Sequence, residues 1–164
     1  MVKSLLLACL VFLLLGCGTD QISKLEKENQ ELKAEATKNR AVADYDLQAK
    51  CSKDARAWFK ENFPSDKDTI LLNFTNHYHR GLNKCFILIE YHYNFYMGNG
   101  SWVSDLIAWD VYENSKFANF GETHVVYPKP EYHMEDKVMN CEVWDKKCTT
   151  VDEFKGLVRP YMND

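Results

Sequence analysis

Four stretches between residues 69 and 127 leave the middle of this chain little choice of fold. They read TILLNFTNHYHR (69–80), KCFILIEYHYNFY (84–96), WVSDLIAWDVYE (102–113) and KFANFGETHVVY (116–127), and GLN, GNGS and NS separate them. The stretches are rich in β-branched and aromatic residues, and the separators are turn signals, so each stretch predicts a strand. Connections this short join antiparallel neighbours, because a parallel pair needs a crossover of a dozen or more residues. Strand side chains alternate between faces. Cys85, Ile87, Ile89, Tyr91 and Tyr93 therefore share one face, as do Ile107, Trp109 and Val111, and both sets are assigned to the core side.

The core needs a cover. Leu47, Cys51, Ala55, Trp58 and Phe59 recur at helical spacing and make a stripe wide enough to pack on a sheet. Pro64 ends that helix, since the residue before a proline is pushed out of the α region. After the sheet, YPKPEYHMEDK (127–137) reads as a breaker-rich loop leading to a short last helix. Thr150 followed by Glu153 is a capping-box signature, and Phe154, Leu157 and Val158 supply the helix's apolar face. The predicted class is α+β: a long N-terminal helix packed on a curved antiparallel sheet, with a short C-terminal helix. The layout is loosely similar to cystatin-like and NTF2-like folds, a likeness that carries no function.

The N-terminus has one positive charge, Lys3, followed by an apolar run from Leu5 to Leu15. This is the pattern of a secretory signal. The run is shorter than the roughly twenty apolar residues that a spanning helix requires. Leu14, Leu15, Gly16 and Cys17 resemble the lipobox of bacterial lipoproteins. The resemblance implies removal of residues 1–16 and attachment of a diacylglycerol and an N-acyl chain to Cys17. Several acyl chains on one residue exceed what stable anchoring needs. Gly18, where an Asp would be an inner-membrane signal, resembles lipoproteins sorted to the outer membrane and facing the periplasm. The expected organisation is a signal peptide (1–16), a lipidated N-terminus with a helical tether (17–46), and one α+β domain (47–164).

Within the tether, Ile22, Leu25, Asn29, Leu32, Ala36, Asn39 and Ala43 form a thin stripe at 3-4 spacing. With Ile22 at heptad position a, Asn29 falls at a and Leu25 and Leu32 at d. A buried Asn at a fixes parallel register in coiled coils. The g to e pairs become Glu28 with Lys33 and Glu35 with Arg40. Residues five apart do not face one another on a single helix, so these pairs favour contacts between chains. A parallel homo-oligomer through Ile22, Leu25, Asn29 and Leu32 is one expectation. A solvated single-helix spacer fits the same residues equally well.

Of six cysteines, Cys9 leaves with the signal and Cys17 is lipidated in this reading, leaving Cys51, Cys85, Cys141 and Cys148. An even number in an exported chain favours two disulfides, with three pairings open. Cys141 and Cys148 flank EVWDKK, a loop short enough to close locally, and this leaves Cys51 to join Cys85. No CxxC spacing supports zinc. The net charge is −4, one unit more negative once Lys3 is removed, and there is no Lys/Arg cluster; nucleic acid is therefore not an expected partner.

Chemistry is sparse. His77 and His79 share a strand face with each other, and a hairpin turning at Leu82 and Asn83 sets His77 opposite Leu88. His92 then lies roughly 13 Å along the ladder, too far for one three-histidine site. Glu122, His124, Glu131, His133, Glu135 and Asp136 include possible acid–base pairs, but Pro128 and Pro130 favour a solvated loop. No catalytic residue, metal site or cofactor is assigned. Among the aromatic residues, Tyr91, Tyr93 and Trp109 are read as core, and Tyr96, Trp102 and Trp144, near turns, as interface candidates. The expected function is an envelope lipoprotein presenting a small domain to an unidentified protein or cell-wall component, rather than an enzyme. The alternative is a small membrane-tethered hydrolase or metal-binding protein using histidines and carboxylates.

Overall fold

The computed structural model describes residues 2–94, 100–127 and 134–163, with side chains from residue 20 onward. Two compact units divide the chain, Met1–Tyr45 and Asp46–Asp164. Helix α1 (Val2–Asn62) contributes to both. In the first unit the helical side chains from residue 20 are exposed except that of Asp44, which is half-buried; the exposed ones include Ile22 (57%), Leu25 (64%) and Leu32 (65%). The side chain of Cys17 lies outside the described residues, as does Tyr96. Among the described residues no helix is long and apolar enough to cross a membrane.

The second unit is α+β. Strands β1 (Thr69–His79), β2 (Lys84–Asn94), β3 (Trp102–Asp110), β4 (Ser115–Val126), β5 (Met134–Val143) and β6 (Lys146–Lys147) form an antiparallel sheet in sequence order. Helix α2 (Val151–Met162) follows. The period-2 pattern of the first four strands thus gives the expected meander. Residues 134–137, expected in the breaker-rich loop, instead open β5, and the Cys141 to Cys148 segment is a hairpin rather than a free loop.

One sheet face packs on residues 46–62 of α1. Cys51 and Ala55 are buried there with Tyr78, Cys85, Ile87 and Ile89, and Trp58, Phe59, Phe74, Tyr91 and Trp109 close around them. Cys51 and Cys85 form a disulfide, with their Cα atoms 5.4 Å apart. Polar contacts frame this apolar seam: Trp58 Nε1 donates to Asn114 Oδ1 at 2.8 Å, and the Tyr78 N–H donates to Gln48 Oε1 at 2.8 Å.

A second core fills the opposite face, where only one core side was expected. Phe86, Ala108, Phe117, Ala118, Phe120 and Val143 are buried there under Phe154 and Val158 of α2. The Thr150 side chain caps α2 by accepting the Glu153 N–H at 3.2 Å, while the Glu153 carboxylate reaches back to the Thr149 N–H at 2.8 Å. This is the predicted capping exchange, with its return bond one residue earlier. Cys141 and Cys148 are bonded beside this cap, Cα atoms 4.9 Å apart.

Register decides which side chains meet. His77 pairs with Phe86, not with Leu88, because the hairpin closes through a 3-10 turn (Arg80–Leu82) and a left-handed Asn83 at φ 53. In β5, pairing jumps from Gly121↔Asn140 to Glu122↔Val138, leaving Met139 as an extra residue. A bulge of this kind shifts the alternation by one. Asp136 and Val138 before it and Cys141 and Val143 after it therefore all address the α2 face.

Candidate functional site

Helix α2 covers only part of its face. Next to it, cross-strand pairing lines up polar residues in two rows. His92, Ser104 and Glu122 are neighbours on β2, β3 and β4, and Trp102, His124 and Asp136 are neighbours on β3, β4 and β5. The alternation that buries Phe86, Ala108 and Phe120 also brings the residues of β2, β3 and β4 to the same face, because each is an even number of positions from the core residue on its strand, and the Met139 bulge brings Asp136 of β5 there too.

The rows meet at His124, whose side chain is only 14% exposed. Its Nδ1 lies 2.8 Å from Asp136 Oδ1, and its Nε2 lies 3.1 Å from Ser104 Oγ. An ionised carboxylate can only accept, so Asp136 places the proton of the neutral imidazole on Nδ1. The bare Nε2 then accepts from the Ser104 hydroxyl. Glu122 Oε2 stands 3.7 Å from the same Nε2 and becomes its partner when the ring is protonated. The Trp102 ring stacks on the imidazole at 4.6 Å, with planes 16° apart, and limits its rotation.

A cavity of about 240 Å³ opens beside this relay; Glu90, His92, Ser104, Leu106, Glu122 and Lys155 are among its lining residues. Its walls combine hydrogen-bonding groups of both kinds with a net negative charge. His92 Nε2 lies 3.5 Å from Glu90 Oε1. On the opposite face, Asp105 sits where Gly121 has no side chain, and a Cβ there would stand 2.8 Å from Asp105 Oδ1. Burial pushes the Asp105 carboxyl above the usual carboxylate range, against the smaller opposing pull of His92 and Lys116.

The residues singled out from sequence have separate placements. Trp102 joins the relay. Trp144 instead packs at the end of β5, its ring 5.2 Å from Phe117, and lines a different cavity of about 380 Å³ with Lys84 and Tyr161. The His77 and His79 rings are 6.3 Å apart, while His92 pairs with Leu71 on the same strand. Among the described residues no group of three or more His, Cys, Asp and Glu is placed to hold a metal ion. Glu131 and His133 lie outside the described residues. Sequence reasoning misses Ser104, and it sets aside the acid–base run containing His124 and Asp136 in favour of a solvated loop, whereas His124 lies within the predicted fourth strand, β4, and Asp136 lies in β5. The available signal was the even spacing of Trp102 and Ser104 and of Glu122 and His124, which gains meaning only once β5 is placed beside β4.

The chain matches no family model, and neither a curated protein nor a solved structure shows significant similarity to it.

Proposed function

We propose that this protein is a lipid-anchored component of a bacterial cell envelope that presents residues 47–164 for binding an envelope partner through the cleft beside α2. The observation that carries the binding reading is the cavity of about 240 Å³, with Glu90, His92, Ser104, Glu122 and Lys155 in its walls. A mostly formed concavity with a few convergent polar groups is the usual form of a ligand site. Its carboxylates favour a neutral or cationic polar ligand over an anionic one. The apolar leader and the lipobox-like Leu14 to Cys17 segment support anchoring through Cys17, with the outer membrane, facing the periplasm, as the location. Two disulfides suit an oxidising compartment. In this reading Ile22, Leu25, Asn29 and Leu32 join copies of the chain along the tether.

Crosslinking in intact cells, followed by recovery of the protein, tests the reading. The wild-type chain should capture an envelope component that Glu90→Arg, a change in the cavity wall, fails to capture. Equal capture by both would remove the cleft from the proposal.

A second reading, a membrane-tethered hydrolase, is favoured by one observation, the hydrogen-bonded run from Ser104 through His124 to Asp136.

A further inference from the structure

The geometry points to Ser104 as a nucleophile, with His124 as its base and Asp136 as the positioning residue, acting on neutral or cationic carboxylic esters held in the cleft. The inference rests on the cleft being the ligand site and adds a reaction to it.

Three requirements of acyl transfer are met by different strands. A serine needs a base within hydrogen-bond reach, and the base needs an orienting group on its other nitrogen. Ser104 Oγ is 3.1 Å from His124 Nε2. Asp136 Oδ1 is 2.8 Å from His124 Nδ1 and selects the tautomer with a free lone pair on Nε2. The serine must also reach substrate, and Ser104 lines the cavity. Because β3, β4 and β5 each supply one member, the constellation is held by a paired sheet, where side-chain direction is set by the ladder. His92 and Lys155 line the same cavity. Glu90 and Glu122 exclude anionic acyl groups, which sets the charge class of the substrate.

The Ser104 O–H proton passes to His124 Nε2 while Oγ bonds the ester carbonyl carbon and the carbonyl π pair moves to oxygen. Collapse of this adduct breaks the ester C–O bond, and the departing alcohol takes the proton from Nε2. Water then attacks the acyl-serine by the same route, releasing the carboxylic acid and restoring the Ser104 hydroxyl. Asp136 keeps its charge throughout and stabilises the imidazolium.

The full chain in detergent, treated with a fluorophosphonate, gives a direct test. Ser104 Oγ should displace fluoride, and peptide mass spectrometry should place the phosphonyl group on Ser104 alone. Ser104→Ala should abolish labelling. His124→Gln, which retains hydrogen-bonding capacity if His124→Ala fails to fold, should slow it by about 10²- to 10⁴-fold. Asp136→Asn, whose amide N–H can donate to Nδ1 and so place the imidazole proton on Nε2, should slow it, and Asp136→Glu should restore part of the rate; loss of a merely structural bond would leave the rate in place. Absence of labelling in the folded chain, or an equal rate in His124→Gln, would overturn the inference. Envelope capture by Ser104→Ala separates the two readings: capture without labelling of the wild type leaves the binding cleft standing alone. Labelling of the wild type without any capture supports the reaction and removes the binding partner.

Discussion

Lys84 Nζ lies 2.6 Å from Asp110 Oδ2, joining the first residue of β2 to the last of β3. The Asp110 side chain is wholly buried, and its Oδ1 accepts the backbone N–H groups of Tyr112 (3.0 Å) and Glu113 (3.3 Å). Hydrogen bonds to Asp110 and then to Glu113 raise the Lys84 pKa, so its stabilising contribution is present below the ordinary lysine range and is lost as pH rises through the raised value. Lys84→Met keeps the aliphatic stem but strips Asp110 of its cation. Urea denaturation should show a loss of about 3 kcal/mol, the scale of breaking a buried pair. Asp110→Asn should cost less, because Lys84 retains Glu113 at 2.8 Å.

The two disulfides should contribute unequally. The Cys51–Cys85 bridge has a sequence separation of 34, and Cys141–Cys148 one of 7. On chain entropy alone these correspond to about 3.8 and about 2.4 kcal/mol. Paired Cys→Ala replacements, compared by thermal and urea unfolding, should rank in that order, and the larger loss should fall on the core beneath α1.

Asp105 gives a pH dependence of opposite sign from that of a salt-bridged carboxylate. Its folded pKa lies above the ordinary value because of burial. Its ionisation therefore destabilises the fold as pH rises from the ordinary carboxylate range through the raised value. Asp105→Asn should raise the melting temperature at neutral pH, and the gain should vanish in acid. Melting curves of both chains from about pH 3 to about pH 8 bracket the window.

Cys17→Ser should prevent lipid attachment, abolish labelling with a fatty-acid probe and release the processed chain to soluble fractions. An uncleaved mutant retained in the membrane would instead make the apolar run a span and overturn the proposed location.

The tether makes a separate prediction. A soluble chain beginning at Thr19 should sediment as an oligomer, and one beginning at Leu47 as a monomer. Replacing Lys33 and Arg40 by Glu should weaken assembly at low salt and have less effect at high salt, where exposed charges are screened. Two monomers at tens of micromolar, together with absent crosslinks in intact cells, would reduce the segment to a spacer.

What the sequence determined by itself was local. Period-2 alternation and short turns specify β1 to β4, Pro64 bounds α1, and Thr150 with Glu153 marks α2, because each signal acts within a few residues. The disulfide pairing was also legible, since Cys141 and Cys148 close a short loop and leave one alternative for Cys51. Strand β5 was not, because neighbouring prolines and charges in residues 127–137 mask a segment stabilised by pairing with β4. Nor was the second core, since Phe86, Ala108 and Ala118 occupy the face opposite the one covered by α1 and acquire burial only when α2 returns to it. The relay depended most on tertiary structure. Ser104, His124 and Asp136 become neighbours only through the ladders joining three strands, and the Met139 bulge lets Asp136 and Cys141 address one face. Pairing register is a long-range property, and a single extra residue reverses which side chains meet.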